Sequence, residues 1–220
     1  MKYDLQNLFD LSKTIARGIF TKCAPHDVPA AVGDYIHSLS ETLGDNFVRA
    51  GDGVFIHKSA TVAPSAYIGG PCIIDEGANV RHCAFIRGGV IIGKGAVVGN
   101  STEVKNAILF DGAQAPHFNY VGDSVMGYRA HLGAGAITSN LKSDGSDVVL
   151  KFSPPVTTGK RKLGALVGDF AEIGCGAVLC PGTVVGRRTT VYPLSVVRGV
   201  LPEDIIYKEK GVVVKKESRP

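Results

Sequence analysis

The 220-residue sequence has no tryptophan, and its nine phenylalanines and seven tyrosines leave little material for a core of large rings. Proline is sparse at 11 and a Gly-X-Y period is absent, which excludes a collagen-like chain. No apolar run approaches the roughly 18 residues that span a bilayer, and the opening MKYDLQNLFD lacks the uninterrupted core of a signal peptide. The expectation is a soluble, cytoplasmic protein with no membrane insertion. Five cysteines (Cys23, Cys72, Cys83, Cys175 and Cys180) form an odd set without C-x-x-C pairing, so reduced thiols are expected. Charge is close to balanced, 24 Lys and Arg against 20 Asp and Glu, and an apolar content of 45% excludes a disordered polyampholyte.

Glycine is abundant, at 28 residues, where average usage of about 7% would give roughly half as many. It accompanies a repeat. From Ile56 every sixth residue is apolar: Ile56, Val62, Ile68, Ile74, Val80, Ile86, Ile92, Val98, Val104 and Phe110. Four places after most of these stands a small residue, as at Ala60, Ala66, Ala78, Ala84 and Ala96. The register breaks near Pro116, resumes at Met126 and Leu132, and returns at Val167, Ile173, Leu179, Val185, Val191 and Val197. A period of six matches neither a helix nor an alternating strand. It matches a short strand plus a tight corner, and three such hexapeptides close one triangular coil. The sequence therefore predicts an all-β, single-stranded parallel β-helix over residues 51–202, whose left hand follows from the likeness to known hexapeptide-repeat proteins.

The flanks differ. In residues 1–50, Leu5, Leu8, Phe9, Ile15 and Ile19 fall on one helical face. Asp27 is placed to N-cap a second helix that buries Val28, Val32, Ile36, Leu39 and Leu43 and stops at Gly44. A helical pair is expected to cap the open first coil, which would otherwise expose a sheet edge. The tail, 203–220, mixes charges around GVVV and is expected to form one strand or an exposed arm.

The chemistry is expected where the repeat breaks, at Lys105–Gly127 and Ser139–Leu163. Arg87 and Lys105 lie one coil apart, so they should stack on one face at about 4.8 Å. Stacked cations are more comfortable with an anion between them, and a phosphate suits both, although projection into water is an equal alternative. The second break is basic: Lys142, Lys151, Lys160, Arg161 and Lys162 outnumber Asp144 and Asp147. Without aromatic interleaving it is a poor nucleic-acid signature, and none is expected as a partner.

The runs RGGVIIGKGAVVGNSTEVKNA, APHFNYVGD and HLGAGAITSN resemble the acetyltransferase domain of the bifunctional glucosamine-1-phosphate acetyltransferase / N-acetylglucosamine-1-phosphate uridylyltransferase family. TTGKRKLGALVGD is similar to archaeal sugar-1-phosphate nucleotidylyltransferases that carry such a domain, and the short chain also resembles bacterial proteins called UDP-N-acetylglucosamine pyrophosphorylase-related. The resemblance implies acetyl-CoA as co-substrate and an amino-sugar 1-phosphate, or a related sugar nucleotide, as acceptor. It implies His117 as general base, Glu103 orienting its imidazole, and the Ala134 N–H as oxyanion donor. Arg87, Lys105 and Tyr120 would hold the sugar phosphate, with His131 and Asn140 near the sugar. Cys175 stands where the family has a serine near coenzyme A, and Lys160, Lys208 and Lys210 are candidates for its phosphates. It further implies a homotrimer with coenzyme A between adjacent prisms.

Two departures stand out: His131 replaces the family's asparagine, and the segment after Asn140 is longer. About 50 residues precede the coil without a Gly-rich phosphate loop, so nucleotidyl transfer is not expected. No metal is expected either, because no two of the histidines are separated by a whole number of coils. A non-catalytic sugar-nucleotide-binding or scaffold protein is the alternative.

Overall fold

Strands of two to four residues dominate, and those of the coil pair in parallel with the strand one coil further on. Val54, Cys72 and Val90 lie side by side at that spacing, as do Thr61, Asn79 and Val97. The computed structural model describes residues 6–208 and 211–216. It is the expected fold, a left-handed parallel β-helix of hexapeptide repeats with a short N-terminal helical segment. The inward column holds Ile74, Val80, Ile86, Ile92, Val98 and Val104, then Val121, Met126, Leu132, Val167, Ile173 and Leu179, all buried in one continuous core. Burying each such aliphatic side chain contributes about 1.5–3 kcal/mol.

Most corners of two prism edges turn through one left-handed residue. Gly77, Cys83, Gly95, Ser101, Gly112, Phe118, Arg129 and Gly135 fill that place with φ from 52° to 71°. Other glycines serve a different purpose. A Cβ on Gly99 would lie 1.6 Å from the Pro116 carbonyl oxygen, and one on Gly174 would lie 2.4 Å from the Pro193 nitrogen. Those positions are where successive coils touch backbone to backbone. Gly99→Ala is therefore expected to destabilise by about 1–3 kcal/mol, read as a lower urea midpoint.

The coil shortens in three places: by one position beside Asn106, by one beside Asp123, where Ala107 pairs with Ser124, and by two near Gly199, where Val185 pairs with Leu201. Val104 pairs with Ile86 exactly one coil before it, whereas Leu109 pairs with Ile92 one position short of a full coil. Leu109 consequently takes the inward place, and Phe110, expected inside the coil, packs outside it against Phe9 and Phe20 at centroid distances of 5.3 and 5.6 Å. That first lost position falls beside Asn106, whose φ is 44°. The basic segment does the reverse. Tyr120 pairs with Ile137, but Ile137 then pairs with Val178, so the break inserts more than a coil's length of chain between neighbouring strands. Within it Val149–Leu150 and Val156–Thr157 pair antiparallel.

The N-terminal segment does not cap the first coil. Phe55, Ile73, Ile91, Ile108, Val125, Leu166, Val184 and Val200 stack in register and point outward, giving one prism face an apolar stripe. Helix α1 (Val28–Ser40) lies across that face with Val28, Val32 and Ile36 buried. The insert contributes Val148, Leu150, Phe152 and Leu163 to the same layer. The coil ends are closed by antiparallel strands instead, Phe47–Gly51 at the start and Val213–Lys215 at the end. The tail thus supplies two strands, Ile205–Tyr207 and Val213–Lys215.

The first expected helix is three 3-10 turns, at Gln6–Leu8, Leu11–Lys13 and Arg17–Thr21. Side chains compete with the helix there: Asp10 Oδ1 accepts from the Ser12 N–H and Thr14 Oγ1 from the Ala16 N–H. Leu8, Phe9, Ala16 and Ile19 are still buried, whereas Leu5 lies outside the described residues. Asp27 does not cap α1 with its side chain. Its carboxylate pairs with Lys160 Nζ at 2.8 Å, tying the insert to the helix.

One buried group opposes folding at neutral pH. Asp75 is 2% exposed, and its Oδ2 has no hydrogen-bond partner among the described residues. Burial pushes its carboxyl above the ordinary value, partly offset by the Glu76 N–H and Lys94. A folded-state pKa above the unfolded one means that stability falls as pH rises through the folded value and is regained below the unfolded value. Asp75→Asn is expected to raise the melting temperature at about pH 8 by roughly 2–4 °C and to show no gain near pH 4, in a melting series across that range.

Candidate active site

The candidate residues gather on a narrow prism face made by the strands that start at Phe85, Glu103, Tyr120 and Ile137. Glu103 and Tyr120 stand at the near end of that face, in register. Arg87, Lys105 and Asn140 follow at its far end. The two cations do stack, since the Arg87 N–H donates to the Val104 carbonyl beside Lys105. The anions beside them belong to the protein: Arg87 Nη1 donates to Glu103 Oε1 at 2.7 Å, and Lys105 Nζ lies 3.2 Å from Asp123 Oδ2.

Asp123 is the hub of the far corner, a role the sequence did not reveal. Its side chain is 7% exposed and that of Lys105 14%. Asn106 Nδ2 donates to Asp123 Oδ1 at 2.9 Å, and Asn140 Nδ2 donates both to Asp123 Oδ2 and, at 3.1 Å, to the Tyr120 hydroxyl. The Tyr120 ring lies over Gly122, where a Cβ would come within 2.4 Å of its hydroxyl oxygen. Burial, then the charges of Asp123 and Glu103, push the Tyr120 phenol up, so it remains a neutral hydrogen-bonding group. Four of the five guanidinium N–H donors of Arg87 remain for a ligand once Glu103 is satisfied.

The near corner holds His117 and Ala134, both exposed, on successive coils. The Gly135 N–H donates to the His117 carbonyl at 3.0 Å. Buried Asn119 fastens the corner: its Oδ1 accepts from the His117 N–H, and its Nδ2 donates to the carbonyls of Gly133 and Ala136 at 2.8 and 3.0 Å. Asn119 was also missed from sequence, although it lies within APHFNYVGD. The Ala134 carbonyl accepts from Gly176, while among the described residues its N–H has no partner. No hydrogen bond or ion pair joins Glu103 to His117; the Glu103 carboxylate is engaged by Arg87.

Cys175 is exposed and lies directly over Gly133, where a Cβ would meet its backbone nitrogen at 2.6 Å. The same column continues to Tyr192 and Lys208, whose Nζ sits 5.8 Å from the Tyr192 ring centroid. Lys160 is elsewhere, on α1 with Asp27. Lys210 lies outside the described residues. His131 is at the start of the preceding face, where its Nδ1 is 3.0 Å from Glu172 Oε2; the chain does not bring it to Arg87, Lys105, Tyr120 and Asn140. Among the described residues no cluster of His, Cys, Asp and Glu is arranged to hold a metal ion, and no helix is long and apolar enough to cross a membrane. All five cysteines are free thiols.

Fold and corner together define a hexapeptide-repeat β-helix protein with a histidine and a free backbone donor on one edge and a cation–carboxylate network on the other. Residues 68–158 match the family model described as the GMPPB C-terminal domain. The bifunctional protein GlmU of Methanococcus maripaludis is 32% identical over 197 residues, which cover 88% of this chain and 48% of that protein. The bifunctional sugar-1-phosphate nucleotidylyltransferase/acetyltransferase of Sulfurisphaera tokodaii is 36% identical over 100 residues, 45% of this chain and 25% of that protein. Proteins of these names thus resemble most of the chain, as the quoted motifs led us to expect, while the chain spans about half of their length or less. Among solved structures, AntD, an N-acyltransferase from Bacillus cereus in complex with dTDP-4-amino-4,6-dideoxyglucose and coenzyme A, aligns at 16% identity with a TM-score of 0.42, covering 80% of this chain and 93% of that one.

Proposed function

We propose that the protein is an acetyl-CoA-dependent N-acetyltransferase acting on an amino-sugar 1-phosphate or a related sugar nucleotide. One observation carries the reading: His117 and the unpartnered Ala134 N–H share an exposed corner, fixed by Asn119, beside a face rich in phosphate-type donors. The relatives' names agree with it.

In the proposed reaction the sugar amine attacks the thioester carbonyl carbon, forming the C–N bond. Its proton passes to the His117 imidazole, because an amine that stays protonated cannot attack. The carbonyl oxygen gains negative charge and accepts a hydrogen bond from Ala134. Collapse breaks the C–S bond, and the departing coenzyme A thiolate takes the proton back from the imidazolium. No cysteine is needed as a nucleophile. Arg87, Lys105 and Tyr120 hold the phosphate and Asn140 the sugar, while Glu103 serves the phosphate end by fixing Arg87. Acetyl-CoA runs along the column from Ala134 past Cys175 to Lys208, three coils or about 14 Å away.

We further propose a homotrimer in the cytoplasm. Leu194 at that corner and Val196 on the next face, 82% and 56% exposed, give this edge apolar side chains suited to a neighbouring prism. In a trimer His131, which one chain places on another face, can meet a neighbouring protomer's acceptor. The test is thiol release from acetyl-CoA with glucosamine 1-phosphate, galactosamine 1-phosphate and UDP-linked amino sugars. Saturable release with at least one supports the reading, and none with any supports a non-catalytic binding protein.

A further inference from the structure

The chain added at the second break does more than cover the apolar stripe. Where the insert leaves the coil and crosses back, it is pressed onto a corner of the solenoid one and two coils beyond Asn140. A Cβ on Gly182 would lie 2.5 Å from Val148 Cγ1, and the stem of Lys151 rests on Gly199, where a Cβ would meet it at 3.5 Å. Between insert and corner is a cavity of about 250 Å³, lined by Lys142, Val149, Lys151, Cys180, Gly182 and Arg198, with Pro181 and Gly199 at its wall.

Its charge is one-sided. Three cations line it and no carboxylate does. Lys142 Nζ donates to the Asp147 carbonyl at 2.8 Å, which positions the ammonium without neutralising it. Among the described residues the side chains of Lys151 and Arg198 have no ion-pair or hydrogen-bond partner. Lys160 and Arg161, by contrast, are used up in holding the insert, on Asp27 and on the Gly145 carbonyl. Elsewhere in the molecule the stacked cations Arg87 and Lys105 are each matched by a carboxylate. Three like charges around one hollow repel each other unless an anion joins them.

We propose that this cavity is a second anion site, for a phosphoryl or pyrophosphoryl group, built by Lys142 and Lys151 of the insert against Arg198 of the solenoid. Arg198 offers a guanidinium fork and the lysines act as point charges, the usual division of labour in phosphate recognition. The volume suits one or two phosphoryl groups and is too small for a whole nucleotide with its base. The group can come from a free anion or from the phosphate tail of coenzyme A. The site is independent of the acetyl-transfer reading, since nothing in it depends on His117.

Calorimetric titration at low salt decides it, using pyrophosphate and coenzyme A on the full chain, Lys151→Ala/Arg198→Ala and Arg87→Ala. Both substituted residues of the double variant are exposed, and an unchanged melting temperature shows that it folds. Saturable pyrophosphate binding that weakens at least tenfold in the double variant and survives in Arg87→Ala is the expected result. If coenzyme A weakens in parallel, its phosphate tail fills the site; if it does not, the site takes a free anion. Pyrophosphate binding equally well to the double variant, or not saturably to the native chain, overturns the proposal.

Discussion

His117→Ala is expected to slow acetyl transfer by about 10²–10⁴-fold, the usual contribution of a positioned general base, with the KM for the acceptor little changed. The imidazole is exposed and sits on a corner held by backbone and Asn119 contacts. Removing it therefore leaves the fold and the phosphate end intact, and the loss should appear in kcat. A KM that rises while kcat holds would make His117 a binding residue instead. Because Glu103 is engaged by Arg87, Glu103→Gln is expected to act mainly through the acceptor's KM. Raising the pH should rescue part of the His117→Ala deficit, since a deprotonated amine no longer needs the base.

The second large effect is on stability. Asp123→Asn is expected to cost about 3–5 kcal/mol, because it strands Lys105 beside a neutral group in a nearly closed corner. Asparagine is chosen because Asp123 has φ 49°, a conformation that Asn tolerates and Ala does not. Adding Lys105→Met to Asp123→Asn should recover much of the loss, since no unpaired charge then remains buried. Urea unfolding of both single variants and the double variant gives the coupling. A cost below about 1 kcal/mol for Asp123→Asn would mean that water reaches the pair and that the corner is not preorganised.

The prism was legible because an inward aliphatic residue every six positions has one economical solution, and the positions from Ile74 to Val104 are buried as the repeat predicts. Two things escaped the same arithmetic. The outward stripe Ile73, Ile91, Ile108, Val125, Leu166 and Val184 is nearly as periodic as the core, but it sits beside inward Ile74 and Ile92. A run such as CIID or VIIG reads as one buried strand until a second layer is known to cover it. That hidden stripe is why α1 lies along the prism and not across its end. The second miss is Asp123. Its partners Lys105, Asn106 and Asn140 converge where the coil is one position short, beside Asn106 and again beside Asp123, and a regular coil count does not show those two lost positions. Phe110 was misplaced inward for the same reason. At the site, the stacked cations were legible from spacing alone, but their neutralisation by Glu103 and Asp123 depends on side-chain reach, which spacing does not encode.

The most direct test of the central claim compares two acceptors that differ in one atom group. Thiol release from acetyl-CoA is followed with glucosamine 1-phosphate and with glucose 1-phosphate, which keeps the phosphate and has a hydroxyl where the amine was, and the sugar products are weighed by mass spectrometry. Attack by an amine through His117 predicts thiol release and an N-acetylated product with the amino sugar, and release no faster than background with glucose 1-phosphate. Equal release with both sugars, or an acetylated protein in place of an acetylated sugar, would contradict it.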